Sequence, residues 1–467
     1  MSELPNGWTE TTLGEVANWG SGGTPSRSES SFYGGKIPWI KSGELNSRFV
    51  TTAEEYITDA ALKGSSAKLF PAGSVAIAMY GATIGKTAIL GIDAATNQAC
   101  AVGAPLEGLI GKELLYRLLQ NEKKTFIAKG KGGAQPNISQ ALIKAHVIGL
   151  PPLAEQARIV QKLDEVLAQV DIVKSRIDAI PALLKRFRQS TLAAAVSGQL
   201  TEEWRPANPI TESAEEYLQG VIRNRRQKPI VKFKEPVLPD LEKRDFEIID
   251  GWMISSVSSF AECLDSMRIP VKKELRNSKE GKYPYFGANG EVDRVDEYIF
   301  NDDLVLVTED ETFYGREKPI AYKYSGKCWV NNHVHALRAH DAVARNYLCF
   351  ALMHYDVTPW LTGTTGRAKL SQGALLSLPI LVPPAAEQTE IVRRVEQLFA
   401  FADNLEAKVA AAKSRIDNLT QSILAKAFRG ELVPQDPNDE PASVLLERIK
   451  ALRAATPKAK RSRKTSA

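Results

Sequence analysis

The sequence predicts an α+β protein with an internal pseudo-two-fold repeat, in which two globular α/β domains are separated by two long helices. The first observation is a repeat in the chain: PPLAEQARIV at residues 151–160 returns as PPAAEQTEIV at residues 383–392. At the same spacing, QSTLAAAVSGQL at residues 189–200 returns as QSILAKAFRGEL at residues 421–432. A repeat of this length indicates two copies of one architectural unit.

The second observation is the heptad spacing of apolar residues between the repeated ends. Apolar residues follow one another at alternating steps of four and three residues, which is the spacing of a coiled-coil seam. The predicted seam consists of Ile159, Leu163, Val166, Val170, Val173, Ile177, Ile180, Leu184, Phe187, Ile391, Val395, Leu398, Ala402, Leu405, Val409, Ala412, Ile416 and Leu419. Because both copies share one phase and a globular segment joins them, we expect an antiparallel coiled coil. The alternative, two unrelated amphipathic helices on separate cores, does not account for the shared phase.

Three residues refine the prediction for the helices. Pro181 lies inside the first helix and is expected to kink it or break it locally, because proline lacks the amide hydrogen that the helix uses. Gly198 and Gly430 stand where a glycine commonly ends a helix. The second helix has no proline at the equivalent position and is expected to be straighter.

The third observation concerns the segments that precede the helices. Short alternating strands, glycine turns and a terminal helix are typical of α+β domains rather than of a parallel doubly wound sheet. The predicted regions are a first globular domain (1–150), a first long helix (151–200), a helical hairpin and linker (201–245), a second globular domain (246–382), a second long helix (383–430), and a short helix with a basic, disordered tail (431–467).

Composition narrows the class of protein. The 467 residues are 43% hydrophobic and 25% charged, and they contain no apolar run of the roughly 20 residues needed to span a bilayer. The beginning MSELPNGWTE lacks the basic and apolar parts of a secretory signal, and the four cysteines have no paired spacing. We therefore expect a cytoplasmic protein without membrane contact. The net charge of +5 comes from the tail, so by itself it does not indicate DNA binding.

Catalytic and metal-binding motifs are absent or incomplete. GATIGKT at residues 81–87 resembles a phosphate-binding loop, but three residues separate its glycines where the motif requires four. A nucleotide-dependent enzyme is therefore disfavoured. His333 and His335 share one face of a predicted strand, yet no third ligand accompanies them at the spacing of a metal site. The sequence predicts no catalytic residue and no metal site in this chain.

Several segments together carry a family resemblance. They are the PPLAEQ and PPAAEQ helix starts, the SGQL and RGEL helix ends, and the loops GGTPSRS (22–28), IPWIKSGEL (37–45), MYGATIGK (79–86) and YPYFGANG (283–290). In these features the chain resembles the DNA-specificity subunit of type I restriction–modification systems, over essentially its whole length. The alternative is a structural coiled-coil adaptor whose two globular domains bind proteins.

The resemblance implies a division of labour between subunits. Each globular domain would be a target-recognition domain that reads one half of an asymmetric, bipartite site in double-stranded DNA. The helices would set the unread gap and dock two methyltransferase subunits, which methylate the N6 atom of adenine, and restriction/translocase subunits would join them. This chain would bind no cofactor, and S-adenosylmethionine, ATP and Mg would be held by the partner subunits.

The candidate DNA-binding residues follow from these loops. Arg and Lys suit guanine edges, Asn and Gln suit adenine edges, and Lys also contacts phosphates. The candidates in the first domain are Lys41, Ser42, Tyr80, Thr83, Lys86, Lys123, Lys124, Lys129, Lys131, Gln135 and Asn137. Those in the second domain are Tyr285, Asn289, Tyr314, Arg316, Arg367 and Lys369. For each of them the alternative is a solvated loop side chain or a turn former.

Overall fold

The computed structural model describes residues 4–130, 137–272, 281–310, 313–314, 316–363 and 368–455. They form two compact units. The first unit contains the described residues up to Asp178 together with those from Ala410 onward, and the second is the continuous stretch Ala179–Val409. Among the described helices, none is both long enough and apolar enough to cross a membrane.

The first domain and the first long helix contain the following elements: β1 (Thr9–Thr12), α1 (Leu13–Val16), β2 (Ala17–Ser21), β3 (Tyr33–Ile40), β4 (Phe49–Val50), β5 (Glu55–Ile57), α2 (Asp59–Gly64), β6 (Leu69–Phe70), β7 (Val75–Ala78), β8 (Thr87–Leu90), β9 (Ala94–Thr96), β10 (Cys100–Pro105), α3 (Lys112–Asn121), α4 (Lys123–Lys129), α5 (Gln140–Lys144), β11 (Val147–Leu150) and α6 (Leu153–Val196).

The rest of the chain continues this order: α7 (Ala214–Gln227), β12 (Met253–Ser256), α8 (Val257–Phe260), β13 (Ala261–Cys263), β14 (Tyr283–Gly287), β15 (Gly290–Val295), β16 (Phe300–Thr308), β17 (Ala321–Val330), β18 (Val334–Ala339), α9 (Ala342–Met353), α10 (Gln372–Ser377), β19 (Pro379–Val382), α11 (Ala385–Phe428) and α12 (Ala442–Ala455).

Each domain is built on a central sheet that is covered on both faces. The first has the strand order β2-β10-β7-β8-β4, beside a four-stranded sheet β5-β3-β9-β6, and the second has the order β13-β18-β16-β17-β14-β15. Successive side chains of a strand point to opposite faces. Accordingly Val75 and Ile77 pack in one apolar cluster and Ala76 in another, while Val305 and Leu306 of β16 divide in the same way. Burial on both faces explains why these strands read as continuous apolar runs.

A tryptophan and a glutamate join each domain to the long helix that follows it. In the first unit the indole Nε1 of Trp8 donates to Glu155 Oε2 at 3.0 Å, and in the second the indole Nε1 of Trp252 donates to Glu387 Oε2 at 2.7 Å. Both glutamates are buried. The glutamate of each repeated PPxAEQ motif therefore accepts the hydrogen bond that holds the first strand of its domain, β1 or β12, to the start of the long helix.

The glutamine of the same motif closes the turn before the helix. The amide Nε2 of Gln156 donates to the carbonyl of Pro151 at 3.0 Å, and that of Gln388 donates to the carbonyl of Pro383 at 2.9 Å. The strands that lead into these turns, β11 and β19, pair with the first strands of their domains. Strand β1 pairs with β11 and β12 pairs with β19, both antiparallel. The repeated motif is thus explained by a repeated joint.

The long helices, α6 and α11, have 44 residues each and contribute to both units. In the first unit Lys174 Nζ lies 3.2 Å from Asp417 Oδ1, and one turn further along α6 Asp178 Oδ1 lies 2.6 Å from Lys413 Nζ. Since residue numbers rise along one helix and fall along the other, the pairing is antiparallel. Exposed ion pairs contribute little stability, so these contacts show how the two helices are aligned but add little to the stability of the pair.

The second unit has the same antiparallel pairing. There Arg188 donates to Asp403 Oδ1 at 2.6 Å, and just beyond α6 the carbonyl of Leu200 accepts from Arg394 at 2.7 Å. The helix α6 continues through Pro181, so the expected local break is absent. Because Pro181 is exposed, water can satisfy the carbonyl that loses its helical partner.

The predicted seam residues differ in burial. The buried members are Ile159, Leu163, Val170, Leu184, Ile391, Val395, Ala402, Val409 and Ile416. The partly buried members are Val166, Ile177, Ile180, Phe187, Leu398, Leu405 and Ala412. Val173 and Leu419 are 46% and 50% exposed. Burial is most complete near the N-terminal ends of the two helices, because several seam residues there also pack in the domain cores.

The first unit brings the two ends of the described chain together. The amide of Ala442 donates to the carbonyl of Gly7 at 2.9 Å, and Lys450 Nζ lies 2.8 Å from Glu15 Oε1. Leu445 and Leu446 of α12 pack in the same apolar cluster as the first domain. The predicted basic tail lies, from residue 456 onward, outside the described residues.

Candidate nucleic-acid interface

The turn at residues 79–86 connects two antiparallel strands of the first domain. Strand β7 pairs with β8, and within the turn Gly81 and Gly85 have positive φ angles of 77° and 74°. Phosphate-binding loops connect a strand to a helix whose N-terminus faces the phosphate. This turn leads into a second strand instead, so the structure agrees with the sequence spacing in disfavouring a nucleotide site here.

The same turn gathers candidate DNA contacts from distant parts of the first domain. Lys86 Nζ donates to Asn46 Oδ1 at 2.6 Å, which brings the loop after β3 to the turn. The amide of Ile138 donates to the carbonyl of Met79 at 2.8 Å, and so places Asn137 beside it. A Cβ at Gly85 would lie only 2.7 Å from Lys123 Cγ. Four separate segments therefore meet at one end of the domain.

The candidates at this end differ in exposure. The exposed ones are Lys123, Lys124, Lys129 and Asn137, and the partly buried ones are Lys41, Ser42, Tyr80, Thr83 and Lys86. Burial raises the pKa of the Tyr80 phenol above its usual value, so this side chain is a neutral hydrogen-bonding group. Asn46, which the sequence analysis did not select, is exposed and contacts Lys86. Its position just after the IPWIKSGEL loop is the signal that could have identified it.

Lys41 is already engaged by two carboxylates. Its Nζ lies 2.9 Å from Glu55 Oε1 and 3.2 Å from Glu54 Oε2, and the guanidinium of Arg27 lies 2.8 Å from Glu55 Oε2. Hydrogen bonds from Arg27 and from Lys41 lower the pKa of Glu55 to about 2. The Lys41 ammonium would have to exchange these partners before it could contact DNA.

In the second domain three of the candidates lie on loops, namely Asn289, Tyr314 and Lys369. Asn289 is exposed at the turn between β14 and β15, Tyr314 is 43% exposed, and Lys369 is about half exposed. Thr308 Oγ1, at the end of β16, donates to the carbonyl of Ala288 at 2.8 Å and ties two of these segments together. Lys369 forms an isolated bridge with Asp310. This region is therefore assembled from several separate segments, as in the first domain.

Two candidates of the second domain, Tyr285 and Arg316, contact other parts of the domain rather than solvent alone. Tyr285 is only 1% exposed within β14, because its strand position directs the ring into the core. The guanidinium of Arg316 donates to the carbonyls of Lys318 and Pro319, each at 3.1 Å, and to that of Ala288 at 3.4 Å. These placements do not present either side chain to a duplex. Lys131, Gln135 and Arg367 lie outside the described residues.

A buried charged cluster lies below the candidate loops of the second domain and was not anticipated from sequence. His335 Nδ1 lies 2.6 Å from Asp265 Oδ2, and Arg268 lies 3.1 Å from Asp265 and 2.6 Å from Glu309. Lys369 Nζ lies 2.8 Å from the other oxygen of Glu309. We call these five residues the charged anchor. They come from four distant segments, so no local sequence pattern reveals them.

The charged anchor is an ion-pair network rather than a set of metal ligands. Asp265, Glu309 and His335 have ligand atoms within 4.8 Å of one another. However, His335 Nε2 lies 2.8 Å from the carbonyl oxygen of Leu370 and Nδ1 lies 2.6 Å from Asp265 Oδ2, so both ring nitrogens already have partners within the protein. Burial raises the pKa of Asp265, but the hydrogen bond and charge of His335 and the charge of Arg268 outweigh it and lower that pKa overall. The carboxylates thus already have cationic partners.

Comparison with known proteins identifies the family. The model of the family described as "Type I restriction modification DNA specificity domain" matches residues 5–182 and again residues 249–412. The chain belongs to this family. The two matches correspond to the two copies of the internal repeat, each covering a globular domain and a large part of its long helix.

Relatives of this specificity subunit match it along its full length. It is 32% identical over 487 residues to the type I restriction enzyme EcoKI specificity subunit of Escherichia coli K12, with 99% of each chain covered. It is 30% identical over 488 residues to the StySPI specificity subunit of Salmonella potsdam, again over 99% of each chain. A solved chain from a type I R-M system has the same fold, with 18% identity, a TM-score of 0.61, and coverage of 92% of this chain and 100% of that one.

These findings decide between the hypotheses drawn from the sequence. The protein is a type I restriction–modification specificity subunit with two recognition domains, and it belongs to a non-catalytic subunit family. It works with DNA and with other subunits of the restriction–modification system. The alternative of a structural adaptor that binds proteins through its globular domains is not supported.

Proposed function

We propose that this subunit directs an adenine-N6 DNA methyltransferase to an asymmetric, bipartite sequence, with one half read by each recognition domain. The observation that carries the proposal is a shared backbone frame with different side chains. Met79 accepts from the amide of Ile138 and donates to Ala99, and Glu309 accepts from Leu370 and donates to His333, with N···O distances of 2.7–3.0 Å. An apolar residue thus stands in one domain where a charged one stands in the other. Equivalent frames that carry different loops suit the reading of two different half-sites.

We propose the following candidates as the DNA contacts at these ends of the two domains. In the first domain they are Tyr80, Thr83, Lys86 and Asn137 for bases and Lys123, Lys124 and Lys129 for phosphates. In the second domain they are Asn289, Tyr314 and Lys369. Lys41 and Ser42 stay in the set on condition that Lys41 exchanges its carboxylate partners. Phosphate contacts fix the orientation of a protein on the duplex, whereas contacts to base edges carry sequence information.

We further propose that the paired helices set the unread gap and dock two methyltransferase subunits. Support comes from the two equivalent helical segments that the repeat supplies, which offer two similar surfaces. Apolar side chains on these helices are half exposed or more: Ile172, Leu183, Phe401 and Leu419. Contiguous apolar patches mark surfaces that a partner covers, and these four side chains are the apolar contacts that we propose for the methyltransferase subunits. In this arrangement the partners hold S-adenosylmethionine, and restriction/translocase subunits hold ATP and Mg, while this chain works in the cytoplasm without a cofactor of its own.

The proposal is tested by co-expressing the full chain with its modification subunit and mapping methylated adenines across the host genome. We expect a split motif with a fixed gap. Exchanging residues 1–150 for those of a relative should change one half of the motif and leave the other half unchanged. Methylation that follows no split motif, or that ignores the exchange, would contradict the proposal.

A further inference from the structure

The charged anchor connects four chain segments at the end of the second domain that carries the candidate reading residues. Asp265 and Arg268 follow β13, Glu309 follows β16, His335 lies in β18, and Lys369 precedes α10. The backbone links the same segments, because Leu370 donates to the carbonyl of Glu309 and Glu309 donates to that of His333. The charged side chains therefore meet where the backbone segments already converge.

The geometry of the anchor restricts the position of each segment. Arg268 Nη1 donates to Glu309 Oε2 at 2.6 Å and to the carbonyl of Val334 at 2.7 Å, so one nitrogen joins the end of β16 to the start of β18. Asp265 accepts from the amide of Ala336 at 2.9 Å as well as from His335. Charge-assisted hydrogen bonds of this kind are short and directional. Inside the protein they are strengthened by the low dielectric, so a displaced partner is costly.

The first domain shows that the fold itself does not need these charges. Met79 occupies the backbone position equivalent to Glu309, makes the same two backbone hydrogen bonds, and is buried among apolar residues. One domain therefore builds this frame with an apolar residue and the other with a network of five charged or titratable side chains. A stabilising role alone does not explain why the second domain carries the network.

The outer members of the anchor reach the candidate surface. Lys369 is about half exposed and its Nζ is fixed by Glu309 at 2.8 Å, while the adjoining Asp310 contacts His333 Nδ1 at 2.6 Å. Glu309 itself is buried, and the side chain of Arg268 is nearly so. Neither of them is placed to touch DNA, but each determines where an exposed neighbour lies.

We infer that the charged anchor positions the reading loops of the second domain, so that Arg268 and Glu309 determine the sequence preference of one half-site without contacting DNA. The inference rests on the proposed function, since it presumes that this domain reads a half-site. Arg268 and Glu309 act as positioning residues through Lys369 and Asp310.

The test measures methylation by the full chain and its modification subunit on a pooled duplex library randomised across both half-sites. The variants are Glu309→Gln, which keeps the size and an acceptor oxygen, Arg268→Met, and the pair E309M/R268M, which removes both charges together. Glu317→Gln is the matched control, because Glu317 is exposed in the same domain and pairs with Lys185. The half-site of the second domain is the one that the exchange of residues 1–150 leaves unchanged.

We expect each single variant to lower discrimination at one or more positions of that half-site by about tenfold, equivalent to about 1.4 kcal/mol. The first half-site and the Glu317→Gln control should keep the wild-type preference. The paired variant should recover the wild-type unfolding midpoint yet keep the altered preference, because it restores charge balance but not the geometry of the loops.

Two results would overturn the inference. One is a folded Glu309→Gln variant with wild-type preference at both half-sites. The other is a paired variant whose preference returns together with its stability, which would make the anchor a stabilising feature only. If Arg268→Met does not fold, the half-site preference of Glu309→Gln alone tests the inference. A wild-type protein that shows no split preference would instead remove the proposed function, so the two failures are distinguishable.

Discussion

Shortening the paired helices tests whether they set the gap between the half-sites. One heptad is deleted from each helix, Asp171–Ile177 from α6 and Ser414–Thr420 from α11. These segments face each other, because Lys174 contacts Asp417 within them and Asp178 contacts Lys413 at their edge. Removing a whole heptad from both helices keeps the phase of the seam. The recognition loops lie outside the deleted residues, so both half-sites should stay the same.

The size of the effect follows from helix and DNA geometry. Seven residues at 1.5 Å each shorten the helix pair by about 10.5 Å. At about 3.4 Å per base pair of duplex, this corresponds to at most about three base pairs, the value for helices that run parallel to the DNA axis. We therefore expect the gap to shorten by about one to three base pairs. Affinity should also fall, because a few base pairs change the rotational phase of the half-sites along the duplex.

The assay maps methylated adenines and measures binding of the complex to duplexes whose gaps differ by single base pairs. The matched control reverses one ion pair, Lys174→Asp with Asp417→Lys, which leaves the helix length and therefore the gap unchanged. A folded deletion variant that methylates the original motif with its original gap would refute the role of the helices as the spacer.

Further predictions concern phosphate contacts, the domain joints and pH. The three exposed lysines of α4 are Lys123, Lys124 and Lys129. Changing all three to glutamine should reduce the magnitude of the slope of log affinity against log salt concentration by about 2.7, at about 0.9 per phosphate contact. The methylated motif should stay unchanged. Trp252→Phe should destabilise the chain by about 1.5–3 kcal/mol in denaturant unfolding, because a hydrogen bond to a buried carboxylate is lost. Burial raises the pKa of Glu155 in the folded protein. Its protonation therefore favours the native state at low pH, and this contribution is lost as the pH rises from about 4.5, its ordinary value, through the raised pKa. Relative to wild type, Glu155→Gln should accordingly be more stable at pH 7 than at pH 4; a difference independent of pH would contradict this.

Features set by local pattern were predictable from the sequence. The seam spacing and the repeated ends indicated two long helices, and the structure has them from Leu153 to Val196 and from Ala385 to Phe428. Of the kink or local break expected at Pro181, the break is absent, since one missing hydrogen bond does not by itself end a helix and the exposed carbonyl can bond water. The α+β class followed from the short strands, although the sequence did not specify their order in the sheets.

The interface was predictable only in part, because burial is decided by tertiary packing. Tyr285 and Arg316 have residue types suited to DNA contact, yet one ring lies in the core and the other side chain holds backbone carbonyls. The charged anchor escaped prediction for a different reason. Asp265, Glu309 and His335 are far apart in sequence, and only the sheet topology brings them together. The structure thus shows where these loop residues lie, and their contacts with DNA stay predictions.

The composition of the two units has a consequence for how the protein is made. The second unit is one continuous stretch, so all of its packing partners are present once residue 409 has been synthesised. The first unit must wait for the end of the chain, because α12 supplies Leu445 and Leu446 to its core and Ala442 bonds to Gly7. Chains grow from the N-terminus at about 5–20 residues per second. The recognition domain that leaves the ribosome first is thus the last to be completed. A chain without α12 lacks part of the core of its first recognition domain.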